Sequence, residues 1–238
     1  MGFSQGLNIL LNIFFGPVVN AARGIAVLVN NVCSNFCANF QTALNPQLTK
    51  TYAQGDLVYM HSLLVKSSKF SFYIFFFIML PLMFEATVVL KFWLGMVPEN
   101  TETFLRLVLC ISLLGTLSNP VIVAVHATGN LKRFQLIEGT MLLMIVPIAY
   151  VLLKFFHTSA ASVFVVHFCV ELCTQYARLK IVLPLIKMNT STYCRQVVVP
   201  LFKVSVISCG FSIYMLGCSR GEQAFLLSKM KYYLRRIV

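Results

Sequence analysis

The chain has 238 residues, of which 58% are hydrophobic and 11% charged, with 21 Phe. So little charge excludes an ordinary soluble globule, for which about a quarter of residues are charged, and it equally excludes a disordered chain. The 19 basic against 7 acidic residues, a formal net charge of +12, do not point to nucleic acid, because the cations stand in short gaps between apolar runs, where loops facing anionic lipid headgroups carry them.

The expected fold is all-α: a polytopic helical membrane bundle. Taken in chain order, Leu7 to Phe15 is an apolar run too short to span, closed by Gly16-Pro17, a helix stop followed by a helix start. It lacks the charge and cleavage pattern of a secretory signal. Pro17 to Asn45 is the second segment, and Pro46 to Lys69 reads as a polar loop turning at Ala53-Gln54-Gly55. The runs 70–94, 104–125, 134–155, 160–186 and 196–216 are each long enough to cross a bilayer, giving with 17–45 six complete spans and one partial span at residues 7–15. Pro81, Pro120, Pro147 and Pro184 fall inside them and predict kinks. Residues 1–216 form the helical lobe and 217–238 a basic tail.

Lys and Arg in alternate loops set the orientation. One set (Lys50, Lys66, Lys69, Lys132, Arg133, Arg178, Lys180, Lys187, Arg195) has nine and the other (Lys91, Arg106, Lys154) three, which places the first in the cytoplasm. The tail, with Arg220, Lys229, Lys231, Arg235 and Arg236, falls on the other side by parity and breaks the rule. It is expected either to lie on a membrane surface or to stand where a further helix is lost.

The eight cysteines mostly sit in apolar runs and are read as free thiols. Cys33 with Cys37, and Cys169 with Cys173, have i,i+4 spacing but lack a full ligand set, so no metal is expected. Nor is any other cofactor. The chain has no phosphate-cradling Gly-rich loop, no H-E-x-x-H and no G-x-S-x-G, so an enzyme is not expected.

The informative segment is Pro17 to Asn45. At 100° per residue, Asn20, Arg23, Asn30, Asn31, Ser34, Asn35, Gln41, Thr42 and Asn45 fall within an arc of about 140°, and Val18, Ala22, Ile25, Val29, Val32 and Phe36 lie elsewhere on the helix. A row of carboxamides offers donors and acceptors to neutral polyhydroxyl groups without burying charge. Arg23 adds one permanent cation whose fork matches phosphate oxygens. The expected substrate-binding residues are therefore Arg23, Asn20, Asn31, Ser34, Asn35 and Gln41, for sugar plus phosphate. A surface-lying helix is disfavoured because such helices are usually rich in Lys and Arg. Glu85 and Glu171 are weaker candidates for ion coupling, and Glu171, Gln175 and Arg178 share an i, i+4, i+7 face suited to helix packing. His126 and His167 read as packed imidazoles, and Lys203 as a snorkelling cation.

Asn8 to Ala26 (NILLNIFFGPVVNAARGIA) and Asn39 to Asp56 (NFQTALNPQLTKTYAQGD) resemble bacterial polysaccharide flippases that export O-antigen and capsule units. Ser67 to Phe72 (SSKFSF), Phe104-Leu105-Arg106-Leu107 and Asn119 to Lys132 (NPVIVAVHATGNLK) add to the likeness, which runs from about Gly6 to Ile186. The resemblance implies the fold of multidrug and toxin extrusion-like exporters: two six-helix lobes about a central cavity, with alternating access. It implies undecaprenyl-pyrophosphate-linked oligosaccharide as substrate, the lipid bilayer of the bacterial inner membrane as the setting, and the amide-rich helix with Arg23 on the cavity wall. On that likeness the chain corresponds to the second lobe, either as a truncated form or as a split half that pairs with a chain supplying the first lobe. Two alternatives stand: a membrane-embedded assembly subunit without transport, and a drug or cation antiporter lobe of the same fold.

Overall fold

The computed structural model describes residues 2–212 and 214. The tail 217–238, and the end of the run 196–216, lie outside the described residues. The chain divides into a first compact unit ending at Val197 and a second beginning at Val198. All regular structure among the described residues is helical. In the first unit α1 (Gly2–Phe15), α2 (Pro17–Ala53), α3 (Leu57–Phe84), α4 (Ala86–Leu94) and α5 (Thr101–Thr128) are followed by α6 (Lys132–Leu143), α7 (Ile145–Phe156), α8 (Ala161–Leu185) and the short α9 (Thr190–Tyr193). In the second unit the described residues 199–212 are helical.

Among the described residues four helices are long and apolar enough to cross a membrane: Leu57–Phe84, Thr101–Thr128, Lys132–Phe156 and Thr190–Ser212. The segments read from sequence as spans at 17–45 and 160–186 are helical but are not among these four. Both are diluted by polar side chains, the amides of α2 and the Glu171, Gln175 and Arg178 group of α8. What they turn inward explains why those residues are there.

The expected polar loop at 46–69 is not a loop. Pro46 sits on an exposed face inside α2, which continues to Ala53, and α3 begins at Leu57. Only Gln54-Gly55-Asp56 turns the chain. Gly55 takes φ +78°, which favours glycine, and the Asp56 carboxylate caps α3 by accepting the Tyr59 N–H at 3.0 Å. The Lys and Thr residues that suggest a loop are the polar ends of two long helices. With 37 residues, α2 is about 55 Å long, well beyond the roughly 30 Å of a hydrocarbon core.

Two other expected spans carry an interruption, although 134–155 still falls inside the span-length helix Lys132–Phe156. The run 70–94 divides at Glu85, one turn past Pro81, into α3 and α4. The run 134–155 divides at Met144 into α6 and α7. Pro147 accounts for the second break, since its missing N–H is the one that would bond the Leu143 carbonyl.

In the first unit α5 is the hub, packed against α2, α3 and α8. Ala22, Ala26, Cys33 and Cys37 give α2 a small-residue face that lets its neighbours approach, and Leu105, Leu109, Phe75 and Leu11 fill the space between. Phe104 of α5 meets Phe164 of α8 with ring centroids 4.7 Å apart. Outward, the surface is greasy: Phe77 is 79% exposed and Phe92 94%. Exposed apolar area on this scale marks a surface that a membrane or a protein partner covers.

Candidate functional site

On α2, three stripes run along the helix. Residues Ala22, Arg23, Ala26, Asn30, Cys33, Cys37 and Gln41 are buried and occupy an arc of about 100°. Beside them the amides Asn31 and Asn35, with Thr42, are exposed. Beyond those, Leu28, Val32, Phe36 and Val18 are 57–64% exposed and apolar. The polar arc read from sequence therefore straddles an edge of the bundle: one flank is turned into the protein and the other out of it.

The expected site residues divide accordingly. Asn31 and Asn35 lie on the outer flank, and Ser34 and Asn20 are half-buried at the boundary. The Oδ1 of Asn20 is itself buried without a partner. Gln41, 4% exposed, lies on the inner flank. Its amide donates to the Thr116 carbonyl at 3.2 Å and its carbonyl accepts from Asn119 at 2.6 Å, tying α2 to the Asn119-Pro120 stretch of α5.

Arg23 also points inward. Its guanidinium donates to the Asn8 carbonyl oxygen and, at 3.4 Å, to the backbone and hydroxyl oxygens of Ser4, so the cation is held by α1. Below it lies a cavity of about 160 Å³ that Arg23, Asn30, His167, Ser4, Ser112 and Phe164 help to line. The Asn30 Oδ1 is buried there with no partner, so the cavity offers an open acceptor next to a permanent cation. His167 packs edge-on to Phe3 at 5.2 Å.

A second polar cluster lies inside the bundle. Arg178, 4% exposed, donates to Gln175 at 2.7 Å and to Glu171 at 3.4 Å, and pairs with Glu138 and with Ser118. The Ser118 hydroxyl in turn donates to Gln175 at 2.7 Å. One guanidinium thus joins α5, α6 and α8, and Ser118 is the sequence neighbour of Asn119, which reaches Gln41. The two groups form a polar seam through α2, α5, α8 and α6. Of the two weaker acidic candidates, Glu171 belongs to this seam, while Glu85 is exposed at the α3–α4 break.

Sequence reasoning singled out the Glu171, Gln175 and Arg178 face but not Ser118 or Glu138, which are 60 and 40 residues from Arg178 along the chain. It missed Asn8 and Ser4 in the same way. For Asn8, Ser118 and Glu138 the one available signal was polarity itself, since each is a polar group in an apolar run; Ser4 lies ahead of the first such run and carries no such signal. Among the described residues no three His, Cys, Asp or Glu side chains gather as a metal site. Compared with known proteins, the chain matches no family model, no curated protein and no solved structure.

Proposed function

We propose that the chain is a membrane protein, and that it acts as one lobe of a transporter passing lipid-linked oligosaccharide, such as an undecaprenyl-pyrophosphate-linked unit, across the bacterial cytoplasmic membrane. The observation that carries this reading is the outer flank of α2. Exposed amides at Asn31 and Asn35 stand between a buried face and an exposed apolar face, on a helix flanked by others long enough to span. Lipid would leave those amides unsatisfied at a cost of a few kcal/mol each, so the flank belongs against water or a polar solute. Carboxamides there suit sugar hydroxyls, and the Arg23 cavity with its open Asn30 acceptor lies just behind.

The antiporter reading is less well supported. Among the described residues the buried carboxylate Glu171 is paired with Arg178 rather than left open to a cation. A paired acid of this kind serves packing first.

The test is thiol labelling of single-cysteine variants in native membranes. Asn31→Cys and Asn35→Cys should react with a membrane-impermeant maleimide, whereas Val32→Cys and Phe36→Cys should react only with a lipid-soluble one. Added undecaprenyl-pyrophosphate-linked oligosaccharide should slow labelling at 31 and 35, and undecaprenol alone should not. Residues 31 and 35 inert to the aqueous reagent, or equally reactive with and without the glycolipid, would overturn the proposal.

A further inference from the structure

A second cavity, of about 670 Å³, opens at the other end of the first unit, between the start of α3 and the junction of α8 with α9. Its α3 wall is made by Val58, His61, Ser62, Val65, Lys66 and Lys69, whose spacing of three and four places them on a single helix face. Lys187, Asn189 and Thr192 form the opposite wall. His61 braces the two, its Nε2 lying 2.8 Å from the Ile186 carbonyl.

The charges are one-sided. Three lysines from two elements face this space, no carboxylate lines it, and none of the three is in an ion pair among the described residues. Ammonium groups brought together without a counter-ion repel one another, and a multiply charged anion removes that repulsion.

Lys187 supplies an independent sign. The end of α8 is a Schellman turn, in which the Lys187 N–H bonds the Pro184 carbonyl at 3.1 Å and the Met188 N–H bonds the Leu183 carbonyl at 2.9 Å. Lys187 holds the left-handed position of that turn at φ +56°, where glycine is the usual residue and a side chain costs roughly 1 kcal/mol. A lysine kept there against the local preference is placed for what its ammonium meets.

We infer that this cavity, between Lys66 and Lys69 on α3 and Lys187 at the end of α8, is a binding site for a phosphate or diphosphate group. Lysine recognises phosphate as a point charge, and the Thr192 and Ser62 hydroxyls add donors. Val58, Val65 and Met188 give the same cavity apolar area for whatever carries the phosphate. The carrier is either a lipid headgroup or a soluble phosphate, because the site lies at the helix ends where the excess of lysine predicts the anionic cytoplasmic leaflet. Nothing in this inference depends on the α2 stripe, whose outer flank belongs to a different face.

The test uses the purified full chain with two probes: inorganic pyrophosphate in detergent, followed by calorimetry, and nanodiscs of phosphatidylcholine with or without phosphatidylglycerol, followed by native mass spectrometry of retained lipid. Lys187→Gly removes the cation while relieving the backbone, so its thermal midpoint without ligand should equal or exceed that of the parent. Combined with Lys66→Gln and Lys69→Gln, it should weaken binding about tenfold or more. Variant-sensitive binding of pyrophosphate identifies a soluble source, and variant-sensitive retention of phosphatidylglycerol alone identifies a lipid source. If the parent binds neither probe, or the triple variant binds either as well as the parent does, the inference fails.

Discussion

Replacing Arg178 by alanine tests the buried seam most directly. The side chain is 4% exposed, and its two acidic partners, Glu138 and Glu171, are 19% and 10% exposed. Removing the guanidinium leaves both carboxylates enclosed with no cation and strips Gln175 and Ser118 of a donor. Breaking a buried pair in this way costs about 3–5 kcal/mol, mostly the expense of stranding the remaining charge. For a chain of this size each kcal/mol moves the thermal midpoint by roughly 2–4 °C, so Arg178→Ala should lower it by roughly 6–20 °C. The reporter is already present, because the thiols of Cys33 and Cys37 are 4% and 3% exposed and react with a fluorogenic maleimide only on unfolding. The other six cysteines, the exposed Cys169 and Cys173 among them, are replaced by serine to remove background. Arg178→Met combined with Glu138→Gln and Glu171→Gln should recover most of the loss, since no charge is then stranded. A midpoint within about 2 °C of the parent for Arg178→Ala would refute the view that this guanidinium holds the seam together.

Arg23→Met should free α1 from α2 and cost about 1.5–3 kcal/mol, the range for hydrogen bonds to a charged group; faster hydrogen exchange over residues 2–15 is the measurement, and unchanged exchange there contradicts the contact. Gln41→Leu leaves the Asn119 amide without its acceptor and should destabilise by about 1–3 kcal/mol, read by the same thiol assay. A Cβ on Gly6 would come within 2.7 Å of Val146, so Gly6→Val should cost about 1–3 kcal/mol, and Val146→Ala should restore the loss when combined with it.

What the sequence made legible was local. The runs 104–125 and 160–186 lie within α5 and close to the bounds of α8, because apolar length is written residue by residue. The polar arc of α2 and the 171, 175, 178 face of α8 were readable for the same reason: helical spacing alone puts those residues together. Which flank of the α2 arc is buried was not readable, since that depends on where α1 and α5 dock. Arg23 illustrates the difference. Its cationic character in an apolar run was plain, but its partner Asn8 lies across the Gly16 joint, on another helix. The polar stretch at 46–69 misled because lysine, threonine and proline mark helix ends that project past an apolar layer as readily as they mark loops.

Gly16, between α1 and α2, has φ +81° and ψ −179°, a conformation that belongs to glycine alone among the natural residues. Beyond Gly16 and its two chain neighbours, no atom lies within 4 Å of where its Cβ would be, so the constraint is one of handedness and not of room. In mirror image the same angles are ordinary extended backbone, which a D-residue adopts without strain. The direction in which α1 leaves α2, and with it the hold of Asn8 and Ser4 on Arg23, is thus set by an achiral link: semisynthetic D-alanine should preserve that geometry, whereas L-alanine should swing the first helix away.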